Sequence, residues 1–146
     1  MAHMYYDKDA DLDLLKGKKI AIIGYGSQGH AHALNLRDSG LDVIVAEVKG
    51  TDNYNRAAEA GFEVMTAEEA AQASDWIQML VPDTIQKSVF EKMKQFIENK
   101  DKFVLGFSHG FNIRFKQITP PENADIVMVA PKGPGHLVRD VFKEGK

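Results

Sequence analysis

Residues 20–29 constrain the fold most strongly, because the apolar run IAII is followed there by GYGSQG, with three glycines in the spacing G-x-G-x-x-G. The apolar run is typical of a strand buried on both faces, and residues 30–36 are typical of a helix. The glycines therefore lie at a strand-to-helix turn. In such a turn Gly24 permits the tight bend, Gly26 lets the backbone approach a pyrophosphate, and Gly29 allows helix and strand to pack closely.

An acidic residue follows the next predicted strand, residues 41–47. Glu47 lies 23 residues after Gly24, near the spacing of about 20 expected for a carboxylate that binds the adenosine ribose. A carboxylate there accepts hydrogen bonds from both ribose hydroxyls and repels a 2′-phosphate, which favours NAD over NADP. The alternative is that Glu47 is simply the first solvated residue after a strand.

Composition limits the classes of protein to consider. The 146 residues suffice for one domain with about six strands, and 44% hydrophobic and 27% charged residues are typical of a soluble globular protein. The absence of cysteine excludes disulfides and thiolate chemistry. A net charge of -3 gives no indication of a basic surface that would bind nucleic acid or an anionic membrane. With no signal peptide or membrane-length apolar run, we expect a cytoplasmic location.

The rest of the chain alternates strand and helix signals, which predicts an α/β fold: a Rossmann-like, doubly wound, mostly parallel sheet with helices on both faces. We expect Leu12, Leu14 and Leu15 to dock on the core from an acidic lead-in. Asp83 or Thr84 is expected to cap the long helix after Pro82. The predicted helices are 27–39, 54–60, one after the T-x-x-E capping box of Thr66 and Glu69, one to about 99, and one from 137; the predicted strands are 20–23, 41–47, 62–65, 76–81, 103–107 and 125–130.

Ligands of open parallel sheets lie beyond the carboxyl ends of the strands, so Val81, Pro82, Asp83 and Gln86 are placed to line the nicotinamide half of a cofactor. For Asp83 alone, a helix N-cap is an equal alternative. His109 follows a buried strand, and an imidazole can donate or accept a proton in the neutral pH range, which makes this residue the best single catalytic candidate. Its alternative role is to hydrogen-bond the loop backbone.

Two further features of the sequence bear on substrate and metal binding. Residues 131–136 form a stiff loop with two prolines and two glycines, in which Lys132 offers a cation and Gly135 a close backbone approach. His30 and His32 point about 200° apart on their helix and cannot chelate one metal ion. We predict no metal site.

Several stretches together resemble ketol-acid reductoisomerase, also called acetohydroxy acid isomeroreductase. The matching stretches are YYD at 5–7, DADL at 9–12, GYGSQGHAHA at 24–33, VPD at 81–83 with Gln86, HGFNI at 109–113 and VAPKGPGH at 129–136. The resemblance spans the whole chain. It implies a magnesium-assisted alkyl shift in 2-acetolactate or 2-aceto-2-hydroxybutyrate, followed by NAD(P)H-dependent reduction to a 2,3-dihydroxy acid, in valine, leucine and isoleucine biosynthesis.

Roles carried over by the resemblance concern cofactor and active site. His109 corresponds to the family's active-site histidine, and Lys132 to a lysine near its metal and substrate site. The implied cofactor contacts are the phosphate turn Tyr25, Gly26, Ser27 and Gln28, a second segment Asp83, Thr84, Ile85 and Gln86, and Gly135.

Two departures from the family pattern matter. NADPH-using members carry an arginine and serines where this chain has Val48, Thr51 and Asn53, so NADH is the expected cofactor. Lys49, Thr51 and Asn53 leave NADPH as the alternative. The family also places its magnesium-binding carboxylates on a knotted helical C-terminal domain, which this sequence lacks.

We therefore expect a lead-in (1–17) and a single dinucleotide-binding domain (18–146) that binds NAD(P)H but does not turn over acetolactate alone. Magnesium, the acetohydroxy acid and homo-oligomer formation would belong to the full-length enzyme. Two alternatives remain open: another Rossmann dehydrogenase of the β-hydroxyacid or prephenate type, which does not explain the His109 and 131–136 segments, and a dinucleotide-sensing module that docks on another protein.

Overall fold

The computed structural model describes residues 2–145. Its centre is a six-stranded parallel sheet with strand order β3-β2-β1-β4-β5-β6, which confirms the predicted doubly wound fold. The strands are β1 (Lys19–Ile23), β2 (Asp42–Ala46), β3 (Val64–Met65), β4 (Trp76–Met79), β5 (Phe103–Phe107) and β6 (Ala124–Met128). The helices are α1 (Ser27–Asp38), α2 (Asp52–Glu59), α3 (Ala67–Ala73), α4 (Asp83–Ile97), α5 (Phe111–Arg114) and α6 (Gly135–Lys143).

Alternation along the strands divides the core into two clusters. Ala21 and Ile23 of β1 face one cluster, together with apolar residues of α3 and α4. Ile20 and Ile22 face the other, beneath α1. Both faces of β1 are therefore buried, which explains why its sequence is a continuous apolar run and does not alternate apolar with polar residues.

All six strands end on one row. In register, Ile23 pairs with Ala46 and Met79, Ala46 with Met65, and Met79 with Phe107, which pairs with Met128. A strand ends where its neighbour ends, so β2, β4 and β6 stop one or two residues before the predicted boundaries. The residues immediately after this row form the carboxyl lip of the sheet.

Helix starts were predicted with mixed success. The Thr66–Glu69 capping box is present at α3, and α1 ends one residue before its predicted end. The predicted cap of α4 by Asp83 or Thr84 is wrong: Pro82 is the N-cap residue and no side chain caps the helix. Asp83 is already helical, and its carboxylate turns toward His109.

The lead-in forms two short 3₁₀ helices, Asp7–Asp9 and Leu12–Leu15. Leu15 packs against the core beneath α1. The predicted docking of Leu12 and Leu14 is wrong, since both are exposed, Leu14 by 75%. Between residues 2 and 145, no helix combines the length and the apolar character needed to cross a bilayer.

Candidate functional site

A cleft of about 570 Å³ opens at the carboxyl lip, beside the junction of β1 and β4. From this junction the chain winds in opposite directions, because β2 and β3 lie on one side of β1 while β5 and β6 lie beyond β4. Such a switch point is where open α/β sheets bind ligands. The predicted site residues that line the cleft are Gly24, Gly26, Ser27, Gln28, Glu47, Asn53, Val81, Pro82, Asp83, Ile85, Gln86 and His109.

The three glycines of the turn differ in their surroundings. Gly24 has φ +100°, a left-handed conformation, and a Cβ there would lie 2.9 Å from the Val81 nitrogen. A Cβ on Gly29 would lie 1.9 Å from the Gly24 carbonyl oxygen, so this glycine lets α1 pack on the turn. A Cβ on Gly26 would meet nothing within 4 Å. Gly26 therefore borders free space at the start of α1, where helix N–H groups face outward.

The Glu47 carboxylate is held at the lip by two backbone donors. The Tyr25 N–H donates to Oε2 at 2.9 Å, and the Val48 N–H donates to Oε1 at 3.0 Å. Each oxygen keeps a further lone pair for an outside donor. A neighbouring hollow of about 550 Å³ shares the lining residues Glu47, Val81 and Ile85 with the cleft, and Val48, Lys49 and Tyr54 also line it. Glu47 thus borders two adjoining cavities.

The loop after β2 is organised by Thr51. Its hydroxyl donates to the Val48 carbonyl at 2.7 Å and accepts from the Tyr54 N–H at 3.2 Å, as the N-cap of α2. Asn53 lies on the wall of the cleft. The hydroxyl of Thr51 is therefore already engaged by the loop itself.

Asp83 and His109 form a pair at the opposite wall. His109 follows β5 by two residues, Asp83 is the first residue of α4, and Nδ1 of the imidazole lies 3.1 Å from Oδ2 of the carboxylate. The imidazole is 68% exposed. An accessible imidazole beside a carboxylate can accept or donate a proton.

Several predicted site residues lie outside the cleft. The Tyr25 ring is buried against Phe62, and burial raises the pKa of its hydroxyl. Thr84 is exposed on α4, and Thr51 and Gly29 do not line the cleft. Lys132 borders a separate hollow beside α6. The structure does not bring Lys132 into the cleft with His109.

The loop of Lys132 instead anchors the glycine turn. The Gln28 Nε2 donates to the Gly133 carbonyl at 2.9 Å, and the Gly135 N–H donates to the Ser27 hydroxyl at 3.2 Å. A Cβ on Gly135 would lie 1.6 Å from the Ser27 carbonyl oxygen. The close approach expected at Gly135 is thus made to protein backbone.

Sequence reasoning missed two residues of this region. Ser108 lines the cleft, and its buried hydroxyl has no hydrogen-bond partner among the described residues. Asn112 is 2% exposed and donates to Gln86 Oε1 at 2.9 Å. An asparagine between Phe111 and Ile113 could have indicated a buried polar side chain. Its partner Gln86, however, lies 26 positions away, and no spacing rule connects the two residues.

A second cavity, of about 420 Å³, lies between the sheet and α1. It is lined almost entirely by carbon, apart from the polar groups of His32, Asn35 and Gln78. Burial lowers the pKa of His32, which favours its neutral form. This apolar cavity does not suit a polyanion. The cleft instead offers helix N–H groups as donors for an anion and a carboxylate as an acceptor for hydroxyl groups. Among residues 2–145 no three histidine, aspartate or glutamate side chains are grouped to hold a metal ion.

Comparison with known proteins agrees with this geometry. Residues 14–146 match the family described as acetohydroxy acid isomeroreductase, NADPH-binding domain. An NADH-preferring ketol-acid reductoisomerase from an uncultured archean is 41% identical and superposes with a TM-score of 0.93. The match covers 99% of this chain and 45% of that protein, so this chain spans less than half of its relative.

More distant solved structures share the fold alone. The 3-hydroxyisobutyrate dehydrogenase of Mycobacterium tuberculosis is 15% identical with a TM-score of 0.68, over 84% of this chain and 43% of that one. A semialdehyde dehydrogenase NAD-binding protein from Cupriavidus necator is 23% identical with a TM-score of 0.66, over 75% and 40%. Because the family model matches residues 14–146 and a ketol-acid reductoisomerase is 41% identical over 99% of this chain, the chain belongs to the ketol-acid reductoisomerase family.

Proposed function

We propose that this chain is the NAD(P)H-binding domain of a ketol-acid reductoisomerase and binds NADH in preference to NADPH. The observation that carries the proposal is the half-buried Glu47 carboxylate, which accepts from the Tyr25 N–H at the glycine turn and lines both the cleft and the adjoining hollow. A dinucleotide along this path would place its ribose hydroxyls at Glu47. The bound cofactor would supply a hydride.

Charge and hydrogen bonding both support NADH. A 2′-phosphate at Glu47 would face a carboxylate whose oxygens already accept backbone hydrogen bonds, and Asp52 begins the adjacent helix. Phosphate ligation calls for cationic or neutral donors, and the Thr51 hydroxyl is engaged by its own loop. Two lysines line the hollow beside Glu47: Lys49, in the loop after β2, and Lys92, on α4.

The pyrophosphate is assigned to Gly26 and Ser27. Gly26 borders open space at the start of α1, and an anion there meets helix N–H groups and the positive end of the helix dipole. The Ser27 hydroxyl accepts from the Gly135 N–H, which leaves its own hydrogen to donate to a phosphate oxygen. Gln28 contributes through its bond to Gly133, which holds the turn.

His109 is assigned to the nicotinamide end of the cleft, together with Val81, Pro82 and Asp83. It is the candidate group for holding or moving a proton beside the reacting substrate. Lys132 is the second candidate catalytic residue of the whole enzyme. The hydrogen bonds of its loop to Ser27 and Gln28 hold it near the glycine turn. For the full-length protein we propose conversion of 2-acetolactate or 2-aceto-2-hydroxybutyrate, with Mg²⁺, in a cytoplasmic homo-oligomer; this chain alone is expected to bind cofactor without turnover.

Calorimetric titration of the purified chain with NADH and with NADPH at one salt concentration tests the proposal. We expect tighter NADH binding, and in Glu47→Gln a loss of about ten- to a hundredfold in NADH affinity, since a hydrogen bond to a charged group contributes about 1.5–3 kcal/mol. The same variant should narrow the preference for NADH. Glu63→Gln, which changes an exposed glutamate outside the cleft, is the matched control.

Tighter NADPH binding by the unmodified chain would overturn the preference and move attention to Lys49. Absence of binding to either cofactor would overturn the proposed site. Magnesium-dependent turnover of 2-acetolactate by this chain alone would contradict its assignment as a cofactor domain without independent activity.

A further inference from the structure

Two buried amide side chains connect the turns that carry Asp83 and His109. Gln86 is 3% exposed and Asn112 is 2% exposed. The Gln86 Nε2 donates to the Val81 carbonyl at 3.0 Å, while its Oε1 accepts from Asn112 Nδ2 at 2.9 Å. Both polar atoms of Gln86 are thus engaged within the protein, although its side chain lies at the cleft wall.

Asn112 uses its amide group to bind the first turn of α4. Besides Gln86, its Nδ2 donates to the Asp83 carbonyl at 3.0 Å. Its main-chain carbonyl accepts from the N–H groups of Gln117 and Ile118. Asn112 therefore ties the segment after β5 to the segment after β4, and buried amides satisfied in this way hold one arrangement.

The tie bears on the chemistry of His109. Nδ1 of the ring has two competing partners: the Asp83 carboxylate at 3.1 Å, to which it would donate, and the Phe111 N–H at 3.3 Å, from which it would accept. One nitrogen cannot do both. Only the Phe111 contact has hydrogen-bond geometry, whereas the contact with Asp83 is a close ion-pair distance. A carboxylate oxygen 3.1 Å from Nδ1 would repel an unprotonated nitrogen, so the nearby Asp83 favours the proton on Nδ1.

We infer that Asn112 and Gln86 are positioning residues that fix the tautomer of His109. By holding Asp83 against the imidazole they keep the proton on Nδ1 and leave Nε2 with a free lone pair, the form that can accept a proton from a substrate group. The inference rests on the proposed function for the use of Nε2. The tautomer itself is a property of the cofactor-free chain.

Nitrogen-15 NMR of the histidine rings tests the inference in the unmodified chain and in Asn112→Ala, at alkaline pH where an exposed imidazole is neutral. We expect the unmodified chain to show His109 with its proton on Nδ1. In Asn112→Ala the signals should move toward the tautomer mixture of free histidine. Asn112→Ser, which keeps one donor, should restore part of the Nδ1–H population.

Asn123→Ala is the matched control. Asn123 also donates two hydrogen bonds from Nδ2, to the carbonyls of Ile97 and Lys100 at the far end of α4. Its loss should lower the thermal midpoint without changing the His109 signals. If Asn112→Ala does not fold, Gln86→Met serves as the second variant, since it keeps the side-chain volume and removes both amide partners.

An unchanged His109 tautomer in a folded Asn112 or Gln86 variant would overturn the inference and leave these amides a purely stabilising role. An unmodified chain with the proton on Nε2 would overturn it as well. The readout needs no cofactor, so a failure of NADH binding refutes the proposed function separately.

Discussion

At the scale of single residues, one glycine of the turn is needed for packing and another borders the candidate binding site. Gly29 gives α1 room to contact the Gly24 carbonyl, whereas Gly26 borders the open cleft. The two positions are three residues apart in one motif, yet they meet opposite surroundings. The motif predicts close packing at Gly29 and open space at Gly26, and the distances to a Cβ built at each position agree with that difference.

Alanine substitution should therefore mainly lower stability at Gly29 and mainly lower cofactor affinity at Gly26. Gly29→Ala forces a Cβ against backbone, and we expect a loss of about 3 kcal/mol in the free energy of unfolding. Gly26→Ala should cost about 1 kcal/mol or less and weaken NADH binding, because its methyl group occupies the space assigned to the pyrophosphate. Urea denaturation and calorimetric titration of both variants test this; equal stability losses would contradict it.

At the scale of elements, α3 shows how a local motif sets a helix start. Thr66 Oγ1 accepts from the Glu69 N–H at 3.2 Å, while Glu69 Oε2 accepts from the Thr66 N–H at 2.9 Å. The Thr66 backbone N–H and, second, its hydroxyl lower the pKa of Glu69 below its ordinary value of 4.5. The box thus has a measurable consequence for stability.

The lowered pKa of Glu69 predicts a pH-dependent contribution. A carboxyl group with a depressed folded-state pKa stabilises the fold above pH 4.5, and this stabilisation is lost as the pH falls through the folded-state pKa. In Glu69→Gln the amide still accepts a hydrogen bond but carries no charge. The stability advantage of the unmodified chain should be present at neutral pH and shrink below pH 4.5.

Thermal melts at a series of pH values test this contribution. Glu68→Gln is the control, since it removes a charge from the same first turn outside the capping box. If Glu68→Gln and Glu69→Gln show the same pH profile, general charge at the helix start, and not the capping box, explains the effect.

At the scale of the whole molecule, α6 returns across the sheet to pack along α1. Besides the contacts of Gly133 and Gly135, the Arg139 Nη1 donates to Asn35 Oδ1 at 2.8 Å, and Arg139 also pairs with Asp38. The last helix thus supports the element that begins the nucleotide turn. Its outer residues Leu137, Val141 and Phe142 are exposed.

Loosening this support should expose α6 selectively. In Gly135→Ala the added Cβ would collide with the Ser27 carbonyl, so we expect faster amide hydrogen exchange in α6 and in the first turn of α1, and a lower affinity for NADH. Amides of β4 and β5 should stay protected. Gly133→Ala is the matched control, since its Cβ would have only Val138 at 3.9 Å. Uniformly faster exchange across the sheet would contradict a local opening.

The sequence by itself determined the order of elements, the glycine turn and the α3 start, because short-range rules govern each of them. Apolar runs and a capping box require only residues a few positions apart. The same restriction to short range explains the errors. The strand ends depend on where neighbouring strands stop, and the burial of Leu14 depends on how the lead-in lies against the core.

Tertiary structure decided how the candidate site is assembled. The contact between the Tyr25 N–H and Glu47 and the tie between Asn112 and Gln86 join residues 22 and 26 positions apart. Both follow from a strand order that brings every carboxyl end to one row. Tertiary packing also holds Lys132 outside the cleft, because its loop is hydrogen-bonded to Ser27 and Gln28 of the glycine turn. Such contacts depend on which strands become neighbours, and no local pattern in the chain contains that information.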